Sequence, residues 1–129
     1  MVYAPAPTAT SPKGVIVRVS VVGRNGKPLG GCRITFLVGN EIVGTIDPSN
    51  GSGSILLPGG HETLIVEASY GSSVVQHVVY QEHNIVVQLD EDEPLFKAFT
   101  RGLAVCPDGT SGQPCVTCSL GGKPYQICA

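Results

Sequence analysis

The chain has 129 residues, a formal net charge of −2 and no cluster of lysines or arginines. Nucleic acids are bound through clustered basic side chains that displace counterions, so this composition argues against nucleic acid as a partner. No apolar run approaches the roughly 20 residues that a membrane-spanning helix needs, so we expect no membrane span. Valine and isoleucine are abundant, tryptophan is absent, and 17 glycines and 10 prolines favour short strands joined by turns.

Residues 1–13 are rich in proline, alanine and threonine and are predicted to form a flexible N-terminal arm. This segment lacks the basic and apolar regions of a signal peptide. We therefore expect a cytoplasmic protein, with a secreted or cell-surface protein as the alternative.

Residues 14–90 carry short alternating apolar stretches between turn signals at almost even spacing. A period of two places successive side chains on opposite faces of a strand, so one face can be directed toward a core. The pattern predicts an all-β fold, an antiparallel β-sandwich of seven strands at 15–22, 32–38, 41–46, 54–57, 63–70, 73–80 and 84–89. The expected core side chains are Val15, Val17, Val19, Ile34, Phe36, Leu64 and Val66.

Two stretches within this region carry a family resemblance. Residues 26–32 read Gly-Lys-Pro-Leu-Gly-Gly-Cys, and residues 58–66 read Pro-Gly-Gly-His-Glu-Thr-Leu-Ile-Val. Residues 14–90 thereby resemble the carboxypeptidase regulatory-like, or transthyretin-like, sandwich domains. The resemblance implies an Ig/transthyretin-like β-sandwich that binds, braces or spaces other molecules. It also implies that Cys32, at a small buried position of the family pattern, is a reduced thiol packed in the core.

Residues 91–105 differ in character from the sandwich region. An acidic run, residues 90–93, precedes Pro94, and Gly102 closes the segment, which are start and stop signals of a short helix. Leu95, Phe96 and Phe99 would share one face of it, and Leu103 would extend that face. We predict an acidic linker and a short helix docked on the sandwich, with a partner-binding helix as the alternative.

The last segment, residues 106–129, is a cysteine-rich tail. Four thiolates, two of them from a C-x-x-C pair, can complete the tetrahedral coordination of zinc. A structural zinc site is therefore predicted at Cys106, Cys115, Cys118 and Cys128. Two disulfides are the main alternative, since small loop-rich segments are often cross-linked in that way, and unpaired thiols are the third.

No catalytic pattern is evident in the chain. His61, His77 and His83 form no close-spaced pair, and the serines do not lie in a nucleophile elbow. The C-x-x-C pair lies among glycine-rich turns, without the βαβ setting of thiol–disulfide exchange. We therefore predict that the chain is not an enzyme and do not expect a small-molecule substrate.

The sequence favours a non-catalytic protein-interaction or structural module with a cross-linked C-terminal tail. Its expected partner is another protein or a second copy of the chain, because small sandwiches expose unpaired strand edges. The alternative is an extracellular adhesion or glycan-binding module with a disulfide-stapled tail. Against glycan binding, the four tyrosines are scattered and tryptophan is absent.

Overall fold

The computed structural model of the chain describes residues 15–48, 50–57, 63–80, 82–91 and 102–129. These residues form two β-sheets around one apolar core, as expected for a β-sandwich, and contain no helix. Eleven strands are present within them. Their bounds are β1 Val15–Val22, β2 Arg33–Val38, β3 Glu41–Asp47, β4 Ser52–Leu57, β5 Leu64–Tyr70, β6 Ser73–Val79, β7 Asn84–Gln88, β8 Leu103–Val105, β9 Ser111–Gly112, β10 Cys115–Leu120 and β11 Lys123–Cys128.

Strands β1 to β7 lie within about two residues of the seven strands predicted from alternation. The expected number of strands was wrong, because residues 103–128 add four more, one before the tail and three within it. The five-stranded sheet has the order β10-β11-β4-β1-β7, and the six-stranded sheet has the order β6-β5-β2-β3-β8-β9. The tail therefore contributes strands to both sheets.

The prediction that all strands are antiparallel was also wrong at one place. Strands β1 and β7 pair in parallel, with Arg18 opposite Asn84 and Val22 opposite Gln88. The hydrogen bonding between the two strands extends one residue beyond β7, because the N–H of Leu89 donates to the carbonyl oxygen of Val22 at 2.9 Å. Alternation predicts which side chains face inward, but it carries no information on the direction of the neighbouring strand.

The core follows the predicted period of two. Six of the seven predicted core side chains are buried, and Val15, at the start of β1, is half-buried. Phe36 is completely buried in the middle of β2, where it lies opposite Val66 of β5. The alternation therefore identified the core-facing side of each of these strands correctly.

Three expectations fall wholly or mostly outside the described residues. They are the flexible arm over residues 1–13, the histidine at position 61 and most of the short helix expected after Pro94. The structure describes only the end of that helix segment. There Leu103, expected to extend the helical face, begins strand β8 and pairs with Asp47 of β3.

Strands β10 and β11 form a hairpin around Gly121 and Gly122. Both glycines have positive φ angles, +58° and +80°, which a two-residue hairpin turn of this kind requires. Strand β11 then pairs with β4, placing Ile127 opposite Ile55. The division of the chain at residue 106 stays a prediction, but strands on either side of it are hydrogen-bonded neighbours.

The two sheets interlock where glycines face isoleucines. Ile127 of β11 packs over Gly44 of β3, where a Cβ added to the glycine would lie 2.5 Å from the Cδ1 atom of Ile127. Ile46 of β3 packs in the opposite direction over Gly53 of β4, where an added Cβ would lie 2.7 Å from the carbonyl oxygen of Cys128. At Gly53 the close atom belongs to the backbone, so a larger side chain has no room there, whereas at Gly44 the close atom is the end of the Ile127 side chain.

Candidate functional site

The four tail cysteines are paired as two disulfides, Cys106–Cys118 and Cys115–Cys128. This pairing corrects the zinc prediction and matches the alternative that the sequence left open. A sulfur bonded to another sulfur is no longer the thiolate that binds zinc. Among the residues that the structure describes, no group of three or more His, Cys, Asp or Glu side chains is placed to hold a metal ion.

The two disulfides link different parts of the fold. Cys115 and Cys128 lie directly opposite each other on β10 and β11, with their Cα atoms 4.0 Å apart, so their bond cross-links one hairpin. Cys106 follows β8 of the six-stranded sheet, whereas Cys118 lies on β10 of the five-stranded sheet. The Cys106–Cys118 bond therefore joins the two sheets at one side of the sandwich, which we call the closed edge.

Hydrogen bonds reinforce the closed edge. The hydroxyl of Tyr125 on β11 donates to the carbonyl oxygen of Val43 on β3 at 2.7 Å, and burial raises the pKa of this tyrosine. Asp108, in the turn after Cys106, accepts the N–H of Thr110 at 2.9 Å, which lowers the pKa of its carboxyl group. The inter-sheet contact therefore combines a covalent bond with a buried hydrogen bond.

Two disulfides within 24 residues are characteristic of proteins that fold in an oxidising compartment, because cytosolic thiols are kept reduced. The expectation of a cytoplasmic protein is therefore not supported. No helix in the described part of the chain has the length and apolar character needed to cross a membrane.

Cys32 is separate from the tail cysteines, as predicted. It is a free thiol that is only 1% exposed, and it precedes strand β2. Burial raises the pKa of the Cys32 thiol to about 11, and the negative charge of Asp47 adds to this rise. A thiol with this pKa stays protonated and unreactive at neutral pH, so Cys32 acts as a small apolar core residue.

The side of the sandwich opposite the closed edge is formed by β6 and β7, and we call it the open edge. Among the described residues, five of the seven large hydrophobic side chains that are exposed belong to it. Val74, Val75 and Val78 of β6 are 57%, 38% and 38% exposed, and Val86 of β7 is 68% exposed. Tyr80, immediately after β6, is 81% exposed.

Several hydrogen bonds involve the side chains of β6 and of the residues that follow it. His77 Nε2 lies 3.2 Å from Glu82 Oε2, and the N–H of Tyr80 donates to Glu82 Oε1 at 2.8 Å. The Tyr80 N–H is the main reason that the pKa of Glu82 falls to about 2, and the hydrogen bond with His77 contributes further. Gln76 Nε2 donates to Glu67 Oε1 at 2.8 Å. These contacts position the strand end and leave the valines exposed.

The two described histidines make separate contacts. His77 contacts Glu82, whereas His83 Nδ1 lies 3.2 Å from the carbonyl oxygen of Ile16 on β1. His61 lies outside the described residues. Neither described histidine is joined with a nucleophile in these contacts.

Comparisons with protein-family models, with curated proteins and with solved structures find no match. The features that remain for assigning a function are therefore the disulfide-linked closed edge and the apolar open edge. The sequence pattern did not reveal the open edge, although Ser73–Val79 carries a signal for it. This strand has valines on both of its faces and no charged residue, which differs from the clean alternation of β5.

Proposed function

We propose that this chain is an extracellular, non-catalytic adhesion module that binds another macromolecule at its open edge. The observation that carries the proposal is the pair of disulfides, Cys106–Cys118 and Cys115–Cys128. Small secreted domains use such cross-links where the apolar core alone supplies limited stability. The tail then serves as an integral part of the scaffold.

The open edge supplies the binding surface in this proposal. Strand β6 ends the six-stranded sheet, so alternate residues direct backbone N–H and C=O groups away from β5. Exposed valines lie beside these groups. An extended partner strand can satisfy the backbone groups and cover the valines at the same time, which is recognition by strand addition.

A protein partner fits this surface better than a glycan. Glycan sites usually offer aromatic platforms, and among the described tyrosines only Tyr80 is largely exposed. Tyr125 is buried, with its hydroxyl group engaged by Val43, and Tyr70 is half-buried. The resemblance of residues 14–90 to carboxypeptidase regulatory-like sandwiches is part of the same proposal, and the two-layered sheet arrangement supports it.

The compartment is tested by mapping the disulfides of the chain recovered from its natural source. We expect peptides joined through Cys106–Cys118 and Cys115–Cys128 without reduction, and their separation after reduction. Free thiols at these four positions in the natural protein would contradict an extracellular location.

The binding activity is tested with beads that carry the oxidised chain through its N-terminal residue. We expect these beads to attach to the surface of cells from the source organism. Beads carrying Val74→Lys should attach at least about tenfold less, because a charge on the exposed edge strand opposes strand addition. Ile42→Lys is the matched control, since Ile42 is 53% exposed on β3, away from the open edge. Equal attachment of wild-type and uncoated beads would refute the proposed function.

A further inference from the structure

We infer that the partner at the open edge is a second copy of this chain. The two β6 strands, Ser73–Val79, would pair antiparallel about a two-fold axis at Gln76 and join two six-stranded sheets into one of twelve strands. This inference rests on the proposed function, because it names the partner for the same binding surface.

Strand β6 is regular along its whole length. It pairs with β5 over seven consecutive residues, from Tyr70 opposite Ser73 to Leu64 opposite Val79, without a register shift. A strand of this length extends over about 24 Å. Its outer side therefore presents a continuous row of backbone groups to an added strand.

Strand β6 lacks the devices that protect edge strands. Ser73–Val79 contains no proline, lysine, arginine or acidic residue, and no bulge bends it away from a partner. Strand β9, at the other edge of the same sheet, has two residues. Strand β10, an edge of the five-stranded sheet, exposes the polar side chains of Thr117 and Ser119. Strand β7, the remaining edge, has five residues, so β6 is the longest of the four described edge strands and the one best suited to pairing.

The sequence of β6 is complementary to a second copy of itself. With the axis at Gln76 all seven residues pair, and Val74 lies opposite Val78 of the second copy on the outer face. Cross-strand pairs of β-branched side chains are favourable. If a strand is charged, pairing it with its own copy brings like charges close together, which opposes the pairing. Ser73–Val79 has no acidic or strongly basic side chain, so this repulsion does not arise within the strand. The chemistry of the strand therefore suits its own copy.

Val75 lies on the core-facing side of β6, opposite the buried Ala68 of β5. It is nevertheless 38% exposed. In the dimer, Val75 would lie opposite His77 of the second copy, so both faces of the strand gain contacts.

A single pair of seven-residue strands buries less than the roughly 800 Å² per partner of a standard interface. We therefore expect a weak dimer, with a Kd of the order of 10–100 μM.

Sedimentation of the oxidised chain over a range of concentrations measures this association. We expect reversible formation of a dimer in the stated range and a Kd at least about tenfold higher for Val74→Lys. Ile42→Lys should dimerise like the wild type. A chain that remains monomeric up to millimolar concentration, or a dimer that Val74→Lys leaves unchanged, would overturn the inference.

Cross-linking tests the register. In Gln76→Cys the two introduced cysteines would face each other with Cα atoms about 5 Å apart, within disulfide range, so oxidation should join the two copies. In Ser73→Cys, on the same strand, each new cysteine would face Val79 of the second copy, and the two would lie about 20 Å apart. We expect a covalent dimer for Gln76→Cys alone. Equal cross-linking of both variants would contradict this register.

Failure of the inference is distinguishable from failure of the proposed function. A monomeric chain whose beads still attach to cells, with attachment reduced by Val74→Lys, would overturn the second copy as partner and leave adhesion at the open edge standing. A chain that dimerises as described but whose beads do not attach would refute adhesion and support the pairing.

Discussion

Cys32 shows what a single residue contributes to this core and how its chemistry is suppressed. The side chain is 1% exposed, and the carboxylate of the nearby Asp47 is held by Arg33 at 3.0 Å. Burial in this setting disfavours the thiolate, which is why the pKa of the thiol rises to about 11. The residue therefore belongs to the packing of the sandwich and not to its redox chemistry.

Because of this environment, the free energy of unfolding should decrease at alkaline pH. The folded-state pKa of about 11 is above the ordinary pKa of 9.0 for an exposed thiol. The contribution of Cys32 is fully present below pH 9 and is lost as the pH rises toward 11, because the unfolded chain releases the proton first. We expect the free energy of unfolding to fall by up to about 3 kcal/mol over this interval, measured by denaturant unfolding.

Cys32→Ala is the matched control for this prediction, because it removes the ionisable group from the same position. Its unfolding free energy should decline less between pH 9 and pH 11 than that of the wild type. Under native conditions at neutral pH, the wild-type thiol should also resist alkylation until the domain unfolds. The same pH dependence in both proteins, or rapid native labelling, would contradict the assignment.

At the scale of elements, the contact between β4 and its neighbours depends on Gly53. The position faces Ile46 across the sandwich, and an added Cβ would lie 2.7 Å from the carbonyl oxygen of Cys128 on the adjacent β11. Exchanging glycine for alanine can stabilise a protein by restricting the unfolded chain, but only where the extra methyl group fits. Here it does not fit without a shift of β11.

We therefore expect Gly53→Ala to lower the free energy of unfolding by about 1–3 kcal/mol, the usual cost of overpacking. Adding Ile46→Val should recover part of the loss, since the shorter side chain relieves the contact with Ile46 but leaves the contact with the backbone of Cys128. Ser54→Ala, at the next position of β4, serves as the control, with a change within about 0.5 kcal/mol. A neutral or stabilising Gly53→Ala would show that β4 and β11 are less closely packed.

At the scale of the whole molecule, the Cys106–Cys118 disulfide and the strand pairing of the tail act on the same structure. The bond joins the sheets at the closed edge, β11 pairs with β4, and Tyr125 donates to Val43 across the core. An element with contacts of this kind should unfold together with the sheets that it joins. Loss of the disulfide should therefore affect the entire sandwich.

We expect the double variant Cys106→Ala/Cys118→Ala to lose about 2–4 kcal/mol of stability, the typical contribution of a disulfide. Unfolding should remain one cooperative transition, with the same midpoint by circular dichroism and by the alkylation of Cys32. Cys115→Ala/Cys128→Ala provides the comparison, because the Cys115–Cys128 disulfide that it removes closes a loop of similar length within one hairpin. Two separate transitions, with the tail released first, would mean that residues 106–129 form an independent unit.

Much of the fold could be predicted because its determinants are local. The alternation in β1, β2 and β5 places Val17, Phe36 and Val66 on the core side, and turn pairs such as Asn25 and Gly26 separate the strands. Backbone geometry fixes the two-residue period of a strand, so these inferences need no knowledge of distant residues. The burial of Cys32 was expected both from this alternation, because Cys32 has the same phase as Ile34 and Phe36, and from the family pattern.

The tail and the open edge depended on tertiary structure. The sequence identified a group of four cysteines in the tail, Cys106, Cys115, Cys118 and Cys128. In a zinc site all four sulfurs converge on one metal ion, whereas in disulfides they meet in pairs. The folded backbone decides between these two arrangements. The parallel pairing of β7 and the position of β6 at the end of its sheet follow likewise from contacts between residues far apart in the chain. By itself, the sequence determined which residues form strands β1 to β7 and which faces of the core strands among them turn inward. Only the tertiary structure decided which strands become neighbours, because that choice depends on the packing of the whole chain.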